Sequence, residues 1–261
     1  MAAPRVSTVL ILPLLLALCA PVSAGLLGID SNYVLHDINT VNGVTSNPRS
    51  VGNKVNMIAI SPGGILYGVS QGFINDGPPG QQLFTINIAT GAPTLVDTLS
   101  QPIIVEGDIA CDPTTGILYG VDSTGELYTI NTTSALVVQV GTIGTNTDLS
   151  AATFDASGTL WVVDSFGPTL LKVNKANGAV LMTVPLDPIN QEVGGLAFSP
   201  AGTLFHAAGT TGKLYTLNTT TGQALTIGPL APSGGIWGLA WTPEPVSLEP
   251  SSWSRIKALV P

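Results

Sequence analysis

The stretch Ile117-Leu-Tyr-Gly-Val-Asp122-Ser-Thr-Gly-Glu126-Leu-Tyr-Thr-Ile-Asn131 decides the fold. Two runs of alternating β-branched, aromatic and polar residues flank Asp-Ser-Thr-Gly, a turn signal, so the segment reads as strand, tight turn, strand. Copies of the same skeleton begin at Leu26, Ile65, Thr159 and Thr203. The closing asparagine recurs as Asn39, Asn87, Asn131, Asn174 and Asn218, in steps of 48, 44, 43 and 44 residues. A period of about 40–50 residues with several strands per unit is the pattern of a β-propeller.

Outward from this pair, each unit gains two further strands. A short apolar run precedes it: Met57–Ile60, Ile109–Cys111, Ala152–Phe154, Leu196–Phe198 and Leu239–Trp241. Between that run and the second strand lie turns such as Ser61-Pro-Gly-Gly64 and Asp155-Ala-Ser-Gly158, in which Ser or Asp caps, Pro fixes φ and Gly takes positive φ. A fourth strand is expected over 93–99, 136–143, 180–186 and 224–230, and a poorer one, holding Pro48, over 44–51. The N-terminal unit lacks a first strand, and Leu239-Ala-Trp241 is a first strand with nothing after it. One blade is therefore split between the two ends of the chain, which closes the ring and removes sheet edges. The expectation is all-β: a single propeller of five four-stranded antiparallel blades, six being the alternative.

Three segments follow. Residues 1–24 read as a secretory signal: Arg5, an apolar run over Val9–Ala20, and the small-residue site Val22-Ser-Ala24. The apolar run is short for a membrane span. Residues 25–243 are the propeller. Residues 244–261, rich in Pro and Ser, read as a disordered tail. Cleavage would leave Cys111 as the single cysteine, within an apolar strand, where an inert thiol is expected. The predicted location is periplasmic or extracellular, with no transmembrane segment once the signal is removed, and a monomer.

Charged residues are only 9% of the chain, and the net charge is −8. An acidic surface with few cations excludes the basic face that nucleic acid needs. The chain has 2 histidines, His36 and His206, in different repeats, which gives little support to a zinc site or a Ser-His-Asp triad.

The Leu-Tyr-Gly-Val-Asp … Leu-Tyr-Thr-Ile-Asn pattern resembles the repeats of secreted bacterial propellers of the YVTN/quinoprotein-dehydrogenase-like superfamily, over residues 26 to 243. The resemblance implies the fold and leaves the activity open, since propellers host many functions. The triplet Pro243-Glu-Pro245 resembles the start of the bacterial PEP-CTERM sorting tail, which would imply cell-surface sorting. That family continues with an apolar helix and an Arg cluster, whereas 246–261 offers neither, its basic residues being Arg255 and Lys257.

In a propeller, the loops joining strands two to three and four to one share a face, where residues from different blades converge. Asp30, Asp122 and Asp164 end second strands there, and Glu106, Asp108, Asp148 and Glu192 approach first strands. Glu106, Glu192, Asp148 and Trp237 are the candidate ligand-binding residues. Asp122, Asp164, Glu106 and Glu192 are the candidate metal ligands, Ca²⁺ being the ion such oxygens suit. The plainer reading is that each Asp caps its own turn. Trp161 and Trp241 match apolar repeat positions and read as core, whereas Trp237 has no such match and is placed to stack on a ligand. The loop Gln71–Gln82 is the long insertion, and insertions on one face of a repeat protein often bind. The favoured function is an exported, non-enzymatic propeller binding a protein or glycan through its loop face. The alternatives are a propeller-type hydrolase or lyase with a metal or carboxylate site at the channel mouth, and a structural cell-surface component.

Overall fold

The computed structural model describes residues 25–71, 80–102, 107–144, 147–187, 194–231, 233 and 235–243. The signal, the insertion over 72–79, Glu106, Glu192 and the tail after Pro243 lie outside the described residues. The described chain forms five four-stranded antiparallel sheets. Blade 1 holds β1 (Gly25–Asp30), β2 (Val34–Ile38) and β3 (Thr45–Ser50). Blade 2 holds β4 (Val55–Ile60), β5 (Leu66–Ser70), β6 (Gln82–Ile86) and β7 (Pro93–Thr98). Blade 3 holds β8 (Asp108–Cys111), β9 (Leu118–Val121), β10 (Glu126–Ile130) and β11 (Val137–Thr142). Blade 4 holds β12 (Leu149–Phe154), β13 (Leu160–Asp164), β14 (Thr169–Val173) and β15 (Val180–Pro185). Blade 5 holds β16 (Gly194–Phe198), β17 (Leu204–Ala208), β18 (Lys213–Leu217) and β19 (Ala224–Pro229).

The last strand, β20 (Ile236–Thr242), becomes the inner strand of blade 1. It pairs antiparallel with β1, Leu26 opposite Trp241 and Gly28 opposite Leu239. The hydroxyl of Thr242 clasps the seam, accepting from the Gly25 N–H at 2.7 Å and donating to its carbonyl at 3.1 Å. The split blade and the five-blade ring expected from the repeat are what the structure shows. Among the described residues, no helix is long and apolar enough to cross a membrane.

The inner strands β20, β4, β8, β12 and β16 stand side by side around the channel, and apolar side chains fill the wedges between blades. The repeat sets these contacts. One inner-strand repeat position packs on a second-strand aromatic of the preceding blade, seen in the ring pairs Tyr119–Phe154 at 5.3 Å, Trp161–Phe198 at 6.3 Å and Phe205–Trp241 at 5.8 Å. Trp161 and Trp241 are thus packing residues, as their repeat positions predict. His206 is fully buried in β17.

Candidate functional site

The acidic residues of the second strands cap turns. The Asp122 carboxylate accepts from the N–H groups of Thr124 and Glu126 at 3.1 and 3.0 Å, and from the Tyr128 hydroxyl at 3.0 Å. Asp30 repeats this in blade 1, accepting from the N–H groups of Asn32 and Val34, with His36 Nε2 3.0 Å away where blade 3 has Tyr128. These bonds follow from the sequence, since a carboxylate one residue before a tight turn faces the turn's own donors.

Asp164 differs. Blade 4 has Leu171 where blades 1 and 3 have His36 and Tyr128, so no side chain across the hairpin reaches its carboxylate. The Asp164 carboxylate accepts instead from the N–H of Asp148 at 2.9 Å and that of Phe166 at 3.1 Å. The structure therefore joins Asp148 to Asp164, while Asp122 sits in the hairpin of the neighbouring blade. Among the described residues, no three His, Cys, Asp or Glu side chains gather as a metal centre. Trp237 is half-buried near the start of β20, at the loop end of the channel.

Asp108 is not at the rim. It opens β8 and is fully buried, with its carboxylate spanning two blades: one oxygen accepts from the N–H of Ile109 at 2.8 Å, the other from the N–H of Ala152 in β12 at 3.0 Å. Burial pushes this carboxyl well above the usual range, against the two N–H donors that favour the anion.

The opposite mouth has another chemistry. A cavity of about 220 Å³ opens there, lined by all five inner strands and the turns that follow them. Its wall is one repeat position, Ile60, Cys111, Phe154, Phe198 and Trp241, and its rim another, Pro62, Pro113, Ala156, Pro200 and Pro243. The five rim residues are all exposed, and among the described residues no charged side chain lines the cavity. Burial, with Asp112 beside it, pushes the Cys111 thiol up to about 11, so it stays protonated and unreactive at neutral pH. Sequence reasoning passed over this mouth because its residues are apolar and in step with the repeat, which reads as core.

Around that rim the polar groups serve structure. The buried Asp112 carboxylate is 2.5 Å from the ammonium of Lys175, on the outer turn of the next blade, and also accepts from the Thr114 and Thr115 hydroxyls. Burial pushes this carboxyl up, but Lys175 and the hydrogen bonds outweigh it and hold it at about 2. The equivalent Asp155 accepts from the Ser157 hydroxyl and from Trp161 Nε1. Burial opposes these bonds and they prevail, leaving its carboxyl below the usual range.

The fold and its two mouths define a β-propeller repeat protein. The family described as "Repeat of unknown function (DUF6923)" matches residues 134–244. No curated protein matches the sequence. Among solved structures, a chain in a nidogen/laminin complex is similar at 12% identity and a TM-score of 0.57, covering 85% of this chain and 99% of that one. A protein of unknown function from Bacteroides caccae is similar at 12% identity and a TM-score of 0.55, over 85% and 100% of the two chains. Another, from Bacteroides thetaiotaomicron, shares 17% identity at a TM-score of 0.54, over 87% and 66%. At these identities the likeness is one of fold.

Proposed function

We propose that the chain is an exported, non-enzymatic binding propeller that takes a protein or glycan partner on an end face of the ring. Export rests on the signal-like residues 1–24. One observation carries the binding reading: the carboxylates that the repeat brings towards the mouths, at Asp30, Asp112, Asp122 and Asp155, are held by their own turns or by Lys175. A carboxylate whose oxygens are engaged by fixed backbone donors is poorly placed to reach a substrate proton. What faces outward at the turn mouth is a neutral apolar cavity with an exposed rim, suited to a partner's apolar surface. That the chain of the nidogen/laminin complex belongs to a protein assembly is consistent with a protein partner. The expected experiment is a protein and glycan array probed with the purified chain and with Ala156→Arg, which puts a charge on the exposed rim. A partner retained by the parent chain and lost by Ala156→Arg supports the reading; binding indifferent to the rim overturns the choice of face.

A second reading, a hydrolase or lyase, draws on Asp108, whose carboxyl is raised by burial between the inner strands of blades 3 and 4 despite its two backbone donors. It would add Glu106, Glu192 and Asp148 at the loop end, with Ca²⁺ as the ion. Hydrolysis of glycoside or lactone substrates, abolished by Asp108→Asn in a chain that still folds, would establish this reading over the first.

A further inference from the structure

At their loop end, three of the inner strands bulge. Val55 and Met57 pair with Ser70 and Val69, which leaves Asn56 over. Leu149 and Ala151 pair with Asp164 and Val163, which leaves Ser150. Ile236 and Gly238 pair with Asp30 and Ile29, which leaves Trp237. A bulge puts one residue outside the ladder and re-aims its side chain. Asn56, Ser150 and Trp237 are one repeat position, in line with Ile60, Phe154 and Trp241 further along the same strands. Blades 3 and 5 hold Gly107 and Gly194 there, where a Cβ would meet the Val121 and Ala207 carbonyl oxygens at 2.1 and 1.7 Å. This level of the channel therefore carries side chains from blades 1, 2 and 4 alone.

The three are not equally provided for. The Ser150 hydroxyl bonds that of Ser165. Asn56 is buried, at 7% exposure, and among the described residues its Oδ1 has no hydrogen-bond partner. An amide oxygen buried without a donor destabilises the folded chain, and a donor from a ligand relieves it. Gly238 lies against the Asn56 carbonyl, a Cβ there coming within 2.8 Å, so half-buried Trp237 is the neighbour of Asn56 across the seam of blades 1 and 2. Around this pair the backbone is left-handed at Tyr33, Asn53 and Lys54, with φ of 61°, 50° and 54°. Non-glycine residues held this way cluster at ligand sites. The Tyr33 hydroxyl lies 3.4 Å from the Gln71 amide oxygen, and the Gln71 N–H donates to the Lys54 carbonyl, which ties the surrounding loops together.

We propose that Asn56 and Trp237 form a saccharide site at the loop mouth, which takes one neutral sugar ring of a glycan. A sugar hydroxyl both donates and accepts, so neighbouring hydroxyls satisfy the Asn56 Oδ1 and meet its Nδ2 donors. The C–H face of the ring is flat and apolar and suits the accessible part of the indole. Neither side chain is charged, which selects against an anion. A Ca²⁺ ion needs about 6–8 oxygens, and the nearby Asp30 carboxylate is already held by its own turn and His36. The site rests on the binding reading of the chain, and it lies at the mouth opposite the apolar cavity.

The test is an array of neutral, amino and acidic oligosaccharides probed with the full chain, then calorimetric titration with the saccharide retained. The parent chain is expected to retain a neutral saccharide. Trp237→Ala and Asn56→Leu should each weaken binding by about tenfold or more, as loss of a binding anchor does. Asn56→Leu should also keep or raise the melting temperature, because removing an amide that served the fold would lower it. Ala156→Arg, at the other mouth, should leave saccharide binding unchanged. A parent chain that retains no saccharide overturns the site, as does binding that survives Trp237→Ala and Asn56→Leu. A fall in melting temperature in Asn56→Leu overturns the role of Asn56. A protein partner lost in Ala156→Arg, from a chain that retains no saccharide, overturns this site and leaves the turn-mouth reading standing.

Discussion

Asp112 and Lys175 tie neighbouring blades, and their chemistry has a definite pH signature. The folded carboxyl sits at about 2, below the unfolded value near 4. A depressed carboxylate contributes stability that is present above the unfolded pKa and lost as pH falls through the folded one. Unfolding measured from pH 5 to pH 2 should therefore show stability falling through that window, with a shallower fall in Lys175→Met. That variant should cost about 2 kcal/mol at neutral pH, because it leaves a buried carboxylate without its cation. Asp108 has the opposite sign. Its folded pKa is raised, so its contribution is complete below the unfolded value and is lost as pH rises through the folded one. In Asp108→Asn that loss on the rising side should vanish, as denaturant titrations from about pH 4 upward would show. The turn role of Asp112 is legible in Asp-Pro-Thr-Thr-Gly; the blade-spanning role of Asp108 is not, because its partner lies 44 residues away and its repeat neighbours are Met57, Ala151, Gly195 and Gly238.

At the scale of elements, the turn before each outer strand is where one blade meets the last. Gly222 has φ of 72°, and a Cβ there would lie 1.8 Å from the Pro185 carbonyl oxygen of the preceding blade. Gly222→Ala is therefore expected to destabilise by about 2 kcal/mol or more, from the left-handed backbone and the clash together. Blade 3 carries Ala135 at this place, at φ of 51°. Ala135→Gly should gain about 0.5–1 kcal/mol by relieving that conformation, read as a rise in melting temperature. The repeat made the turns visible, since Asn-x-x-x-Gly recurs in four of the five blades and Ala135 takes the glycine's place in blade 3. It hid where the outer strands bulge, because register is settled by pairing: the shift lies at Leu127/Tyr128 in blade 3 and at Lys172/Val173 in blade 4.

At the scale of the whole molecule, the split blade was readable from the chain ends, and β20 beside β1 realises it. The two mouths were less readable. A periodic sequence places equivalent residues on one ring but does not say which ring is open, so Phe198 and Trp241 read as core although they also wall a cavity. The loop end was given candidate roles through Glu106, Glu192, Asp148 and Trp237. The described geometry there is one of turn caps, with Asp148 held to Asp164 through its backbone.

The central claim is that the carboxylates of the ring serve its turns while the protein acts by binding. Calorimetric titration of the chain with Ca²⁺, beside the Glu106→Ala/Glu192→Ala double variant, tests it most directly. The account predicts no stoichiometric heat from either protein. Tight one-to-one binding by the parent chain, lost in the double variant, would contradict it and place a metal at the loop mouth.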